Sequence, residues 1–227
     1  MELENNIEFF SAKIKDQVKC ISDSYKKTPI LAIITIGYDK LSEDYFKTIR
    51  DYAEYTDISI MHFDYVDTVS ENVVLRKIRE LNKDEFVSGI LIQLPIPKTY
   101  NLDKLLNIIL KDKIVDFNQI KINSIFDIFD NYKIELDNKT LFISSNLFDN
   151  NLTNELFNKK YNVLVSKNIL NEDIVIKLNN QEYNEFKKED DYIIIDNNKI
   201  EFMKIVCANI LKQTVSNYEL QIKNLEK

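Results

Sequence analysis

Apolar positions along the first half of the chain switch repeatedly between two periods. Over residues 4–20 they recur at helical spacing, with Ile7, Phe10, Ile14 and Val18 on one face. Residues 30–36 then read ILAIITI, an unbroken, largely β-branched run closed by Gly37. A run without polar alternation predicts a strand covered on both faces, as in parallel sheets. Ser42 stands as the N-cap of a helix that carries Tyr45, Ile49, Tyr52 and Ala53 along one side. A second strand over 58–63, a capped helix over 70–81, a third strand over 87–94 and a helix over 102–110 come next. The order βαβαβα predicts a parallel sheet with right-handed crossovers.

The second half repeats the theme with thinner connections. Strands are expected at 140–144, 162–165, 173–178 and 191–196, with a short helix at 151–158. Two helices, 199–213 and 217–226, close the chain. An Asn- and Asp-rich stretch over 127–138 marks the crossing between lobes. The expected fold is therefore α/β with two lobes. Residues 1–125 form an N-terminal parallel α/β lobe, with 214–227 packing back on it. Residues 126–213 form a trimmed, Rossmann-like second lobe.

Composition narrows the function classes. The 227 residues carry a net charge of −7, so there is no electrostatic footprint for nucleic acid or an anionic membrane. No apolar run is long enough to span a bilayer, and the opening MELENNIEFF is acidic, unlike a signal peptide. Cys20 and Cys207 lie far apart with no CxxC and no histidine partner, which fits two buried thiols in a reducing cytosol and no metal site. A cytoplasmic protein is expected. The bias towards Lys, Asn and Ile against Gly, Ala and Pro is what an AT-rich genome imposes.

Against that background one stretch stands out. The chain has only two glycines and three prolines, and GILIQLPIP, residues 89–97, holds one of the glycines and two of the prolines around Gln93. Upstream, IGYDKLSEDY places Gly37, Ser42 and Tyr45 at the end of the first strand and the start of the next helix. Downstream, Lys113-Ile114-Val115-Asp116-Phe117 lies about twenty residues after the glutamine. These three motifs, in this order, resemble the bifunctional methylenetetrahydrofolate dehydrogenase/methenyltetrahydrofolate cyclohydrolase family over roughly the first 120 residues.

The resemblance implies a folate-cleft lobe followed by a nucleotide lobe. It also implies hydride transfer from a methylene-folate to NADP, followed by hydrolysis of the methenyl product. It gives catalytic roles to Tyr45 and Gln93, and substrate contacts to Asp116 and Ser42, with Asp116 facing the amino-pyrimidine edge of the pterin. The two prolines would stiffen the exit of the strand and aim Gln93, while Gly89 would let the backbone pack closely. Proton transfer in the family falls to a lysine one helical turn after the tyrosine, and that position here is Ile49. Lys47 and Arg50 stand too far round the helix to replace it. The family's glycine loop corresponds to residues 144–152, SSNLFDNNL, with no glycine, no proline and no arginine, and the second half has no glycine at all. No cofactor is therefore expected. Phe117 replaces a family glycine, and residues 198–202 replace a Gly/Pro-rich loop. His62, the single histidine, is expected to be packed in the core.

The resulting expectation is a family member of one-carbon folate metabolism that is inactive or severely impaired. It has a folate as its ligand and dimerises through the second lobe. The alternatives are a scaffold or regulatory oligomerising protein on this fold, and a residual weak cyclohydrolase.

Overall fold

A computed structural model describes residues 2–131, 140–144, 158, 162–166, 174–177, 193–196 and 200–225. The first elements are α1 (Glu2–Tyr25), β1 (Ile30–Ile36), α2 (Lys40–Tyr55), β2 (Ser59–Tyr65), α3 (Glu71–Lys83) and β3 (Val87–Ile92). They are followed by α4 (Leu102–Asn107), β4 (Ile114–Val115) and α5 (Phe117–Asn131). Strands β5 (Thr140–Ser144), β6 (Asn162–Ser166), β7 (Ile174–Lys177) and β8 (Ile193–Asp196) precede a long final helix, α6 (Ile200–Leu225). The chain divides into two compact units, residues 1–121 with 204–227, and residues 122–203.

The first unit is built on a parallel sheet of order β2-β1-β3-β4. β1 and β3 are its centre, which is why neither alternates polar and apolar residues: nearly every position of both is buried. Ala32, Ile34, Ile36, Ile90 and Ile92 pack on one face against Val74, Leu75 and Ile78 of α3 and Leu105 of α4. Burial of side chains this size stabilises by about 1.5–3 kcal/mol each. On the other face, a methyl added at Gly89 would lie 3.0 Å from Thr214 Oγ1 of α6, 3.0 Å from Val115 and 3.2 Å from Leu31. Gly89 thus lets a helix lie directly on the central strand.

The second unit has its own parallel sheet, β6-β5-β7-β8. Both units are thus open α/β sheets, the second Rossmann-like. The helix expected over 151–158 falls outside the described residues, apart from Asn158.

Four differences from the sequence reading have physical causes. Asp39, not Ser42, caps α2: its Oδ1 accepts the Ser42 N–H at 3.0 Å, leaving the serine inside the first turn. The two expected C-terminal helices are one, because no glycine or proline separates them and Thr214 satisfies its hydroxyl on the Ile210 carbonyl at 2.9 Å. The helix expected over 102–110 ends at Asn107. α5 and the two-residue β4 have too little periodicity to be read from sequence.

Candidate active site

The carboxyl ends of β1 and β3 are where the motif residues gather, the edge at which open α/β sheets take their ligands. Gly37 leaves β1 with φ +77, a left-handed turn that suits glycine, and its N–H donates to the Tyr65 carbonyl at 2.8 Å. Two residues later Asp39 starts α2. The helix therefore springs from the sheet edge and turns Ser42, Tyr45 and Ile49 inward, all buried.

Gln93 extends the ladder one step past β3, its N–H bonded to Ile34 O at 2.9 Å. The chain then passes through a cis Leu94–Pro95 peptide. The Leu94 carbonyl joins the two motifs: it accepts Ser42 Oγ–H at 2.9 Å and Gln93 Nε2–H at 3.4 Å. Gln93 is 1% exposed, and its Oε1 has no hydrogen-bond donor among the described residues. A buried amide oxygen left so costs about 1–3 kcal/mol. It is an acceptor waiting for a donor.

Tyr45 is likewise 1% exposed, and burial pushes its hydroxyl pKa up, so it stays protonated across the physiological range. The edge of its ring meets Phe117, centroid to centroid 5.2 Å at 83°, and its carbonyl accepts the Cys207 thiol at 3.8 Å. Ile49, one turn on, is 0% exposed. The two nearby cations do not share that position: Lys47 is exposed, and Arg50 pairs with Asp51 at 3.8 Å on the surface.

Asp116 is half-buried and caps α5, its Oδ1 accepting the N–H groups of Asn118 at 2.9 Å and Gln119 at 3.2 Å. Its Oδ2 takes no hydrogen bond among the described residues. The residue after Asp116, Phe117, is the one that meets the Tyr45 ring. Ser42 and Gln93 are joined at Leu94, and Tyr45 and the Asp116 segment at Phe117.

Three residues differ from their expected surroundings. Cys20, expected to be buried like Cys207, is exposed. Lys113, read only as part of a motif, is buried, and its ammonium donates to three carbonyls at the end of α3: Leu81 at 3.1 Å, Asn82 at 3.0 Å and Asp84 at 2.6 Å. Desolvation lowers its pKa, opposed by Asp112, Asp84 and Glu85. It closes a helix end where carbonyls would otherwise be orphaned. His62 is exposed, not packed in the core. β2 is an edge strand, so the imidazole lies open on one side and stacks on Phe46 at 3.9 Å. Its Nε2 is 3.0 Å from Thr35 Oγ1, whose hydroxyl donates to Asp64 Oδ1 at 2.7 Å. With the threonine proton committed to the carboxylate, Nε2 is the donor of that pair. Among the described residues no cluster of His, Cys, Asp and Glu could hold a metal, and no helix is long and apolar enough to cross a membrane.

Residues 5–116 match the family model described as tetrahydrofolate dehydrogenase/cyclohydrolase, catalytic domain. Among curated relatives, the bifunctional protein FolD of Staphylococcus epidermidis is 37% identical over 120 residues, 52% of this chain and 41% of its own. FolD of the Brugia malayi Wolbachia is 34% identical over 104 residues, 46% of this chain and 35% of its own. The matches thus span well under half the length of these relatives. Among solved structures, the Trypanosoma brucei methylenetetrahydrofolate dehydrogenase-cyclohydrolase superposes with a TM-score of 0.79 at 15% identity, covering 96% of both chains. FolD from Campylobacter jejuni gives 0.75 at 20% identity, covering 96% of this chain and 98% of its own. At these identities the likeness is one of fold, and it extends over both units.

The Trypanosoma brucei structure is complexed with NADP cofactor and inhibitor, and that overturns the expectation of no cofactor drawn from the missing glycines. Loop composition alone does not decide whether such a fold takes a dinucleotide. A dinucleotide crevice is made first by the strand order, at the point where successive crossovers leave a parallel sheet in opposite directions. This chain keeps that order: β6 lies on one side of β5 and β7 on the other. Residues 145–152, on which the glycine argument rested, lie outside the described residues.

Proposed function

We propose that the chain, whose residues 5–116 match the tetrahydrofolate dehydrogenase/cyclohydrolase catalytic-domain family, binds a reduced folate at the carboxyl end of its first sheet and has lost, or nearly lost, the hydrolytic half of the family's chemistry. The observation that carries this reading is the pairing of Gln93 with Ile49. Gln93 keeps a buried, undonated Oε1 at the sheet edge, an acceptor for a ligand N–H. Ile49 fills the one position a turn beyond Tyr45 from which a side chain could have moved a proton. General acid–base catalysis requires a titratable group at the reacting atom, and an alkyl side chain supplies none.

In this reading Asp116 meets the amino-pyrimidine edge through Oδ2, since Oδ1 is committed to α5. Ser42 holds the Leu94 carbonyl, and so the exit of β3, in place for Gln93. The second unit takes a nicotinamide dinucleotide of the NADP type, the cofactor of the Trypanosoma brucei relative. Its fit rests on the strand order, with Ser144 and Lys177 as register partners at the carboxyl ends of β5 and β7. Bound there, the cofactor supplies the hydride acceptor.

The test is hydrolysis of methenyl-tetrahydrofolate, followed by the loss of its near-ultraviolet absorbance. The natural chain is expected to give no rate above background, and Ile49→Lys to create one. The new ammonium would sit in a desolvated position where its pKa falls towards neutrality, and acid–base catalysis of this kind adds about 10²–10⁴-fold. A natural chain that already hydrolyses the substrate, and loses that activity with Tyr45→Phe, would replace this reading with that of a weak cyclohydrolase.

A further inference from the structure

Several polar side chains of α6 point at the first sheet and have no part in the folate site. Thr214, Asn217 and Gln221 stand at i, i+3 and i+7, a single helix face. Thr214 rests over Gly89. Asn217, buried, donates from Nδ2 to the Ile114 carbonyl at 3.0 Å. Gln221 donates from Nε2 to the Asp112 carbonyl at 2.7 Å and to that of Ser88 at 3.2 Å. The Asn217 amide is itself oriented, because Gln213 Nε2 donates to its Oδ1 at 2.8 Å. That leaves only the NH₂ group to face Ile114.

All but one of these bonds to backbone carbonyls fall on the segment that leads into Asp116. β4 is two residues long and pairs with β3 at Ile90↔Ile114 and Leu91↔Val115 alone. So short a strand provides few ladder bonds to fix the residues after it. Backbone bonds fix the turn before it, Lys113 and Ile114 N–H to the Leu110 carbonyl at 2.9 and 3.0 Å and Ile90 N–H to the Lys113 carbonyl at 2.7 Å. Side chains hold its flanks: Lys113 anchors one side into the end of α3 through three carbonyls, and the two α6 amides hold the other. Beyond them, the Asp116 carboxylate is fixed in turn by the Asn118 and Gln119 N–H groups. Leucines at 217 and 221 would have docked α6 with more apolar burial. Buried amides give little net stability, but they set the position of the carbonyls they bind.

We propose that Asn217, Gln221 and Lys113 are positioning residues, a three-sided clamp that places the Asp116 carboxylate for its ligand. The inference rests on the folate reading above. Simple helix docking would use the same hydrogen bonds, and the two differ in whether the effect passes through Asp116.

The 227-residue chain is compared with Gln221→Met, Asn217→Leu and Lys113→Met. Amide hydrogen exchange is read at Asn118 and Gln119, against Ile34 in the sheet centre. Loosening the clamp should speed exchange at 118 and 119 by about tenfold while Ile34 is unchanged. Binding of 5,10-methenyltetrahydrofolate is measured by calorimetry in the natural and the Asp116→Ala backgrounds. Each clamp variant should raise Kd about threefold to tenfold in the first and leave it unaltered in the second, the sign of a coupled pair. Unchanged exchange at 118 and 119, or equal loss of affinity in both backgrounds, would overturn the clamp. An Asp116→Ala chain that binds folate as well as the natural one, or a natural chain that binds none, would instead sink the folate role of Asp116, and the exchange measurement would still decide the clamp. Gln221 is only half-buried, so its variant serves if the other two do not fold.

Discussion

The two faces of the first sheet are built on different principles. Under α3 and α4 the sheet is an apolar surface, Ala32, Ile34, Ile36, Ile90 and Ile92, packed against Val74, Leu75 and Ile78. The face that carries Gly89 also buries Leu31, Ile33 and Leu91, and adds close and polar contacts: Thr214 against Gly89, and His62, an outward residue of β2, stacked on Phe46. The first face is held by area removed from water, which tolerates small shifts. The second adds to such area directional bonds to particular carbonyls, which do not. The chemistry belongs with the second, because a carboxylate and an amide must be placed to within a hydrogen-bond length.

The largest effect is expected on the apolar face. Ile78 is fully buried at the centre of the α3 contact. Ile78→Ala should lower unfolding free energy by about 2–5 kcal/mol, the transfer loss plus a cavity the helix cannot close. Denaturant titration reads it as a fall in midpoint at unchanged slope. A loss under about 1 kcal/mol would mean α3 repacks freely, and the contrast between the faces would then be overstated.

Gly89→Ala tests the opposite face by addition. The new methyl would lie 3.0 Å from Thr214 Oγ1 and from Val115. Overpacking of this kind costs about 1–3 kcal/mol. The sharper form adds Thr214→Ala. Removing the hydroxyl makes room on one side, so the double variant should be more stable than the two single losses predict, by about 0.5–3 kcal/mol of coupling. Strict additivity would show that α6 does not press on Gly89.

Ser42→Ala removes the bond from α2 to the Leu94 carbonyl, a loss of about 0.5–1.5 kcal/mol. Its mark should fall on folate affinity more than on stability, since the same carbonyl takes the Gln93 amide. Equal folate binding by the variant would detach Ser42 from the site.

The difference between the faces also explains what could be read from the sequence. Continuous apolar runs at β1 and β3 announced a buried parallel sheet, and the alternation of strands with helices announced its crossovers. The motif residues around Gly37 and Gln93 were legible because they break a composition poor in glycine and proline. Lys113, Asn217 and Gln221 were not, since a lysine or an amide on a helix is ordinarily a solvated residue. A faint signal was present: Ile210, Thr214, Asn217 and Gln221 continue the inner stripe of α6 at i, i+4, i+7 and i+11, so polar residues occupy positions where periodicity calls for apolar ones. The cofactor expectation failed for the converse reason. Loop letters were conspicuous, while the strand order that forms a dinucleotide crevice leaves no local trace.

The smallest effect concerns His62, and the chain's single histidine makes it clean to measure. Two influences act on it. Desolvation by the stacked Phe46 and the neighbouring strand lowers its pKa, and the Asp64 carboxylate raises it, with the first the larger. In the unfolded chain the imidazole titrates near about 6.5. Between the lower folded value and that one, the unfolded chain holds a proton that the folded chain does not. Stability must then rise with pH through this window and be flat above it. His62→Gln keeps an amide for Thr35 and removes the titration. Unfolding midpoints of both proteins between pH 5 and 7.5 should therefore diverge on acidification, the natural chain losing more. The carboxylates are common to both proteins, so the difference between them reports His62. The reverse sign, with the natural chain gaining on the variant as pH falls, would mean the imidazolium pairs with Asp64 strongly enough to overcome burial. Thr35 would then be a bridge between two charges, no longer a neutral donor to one.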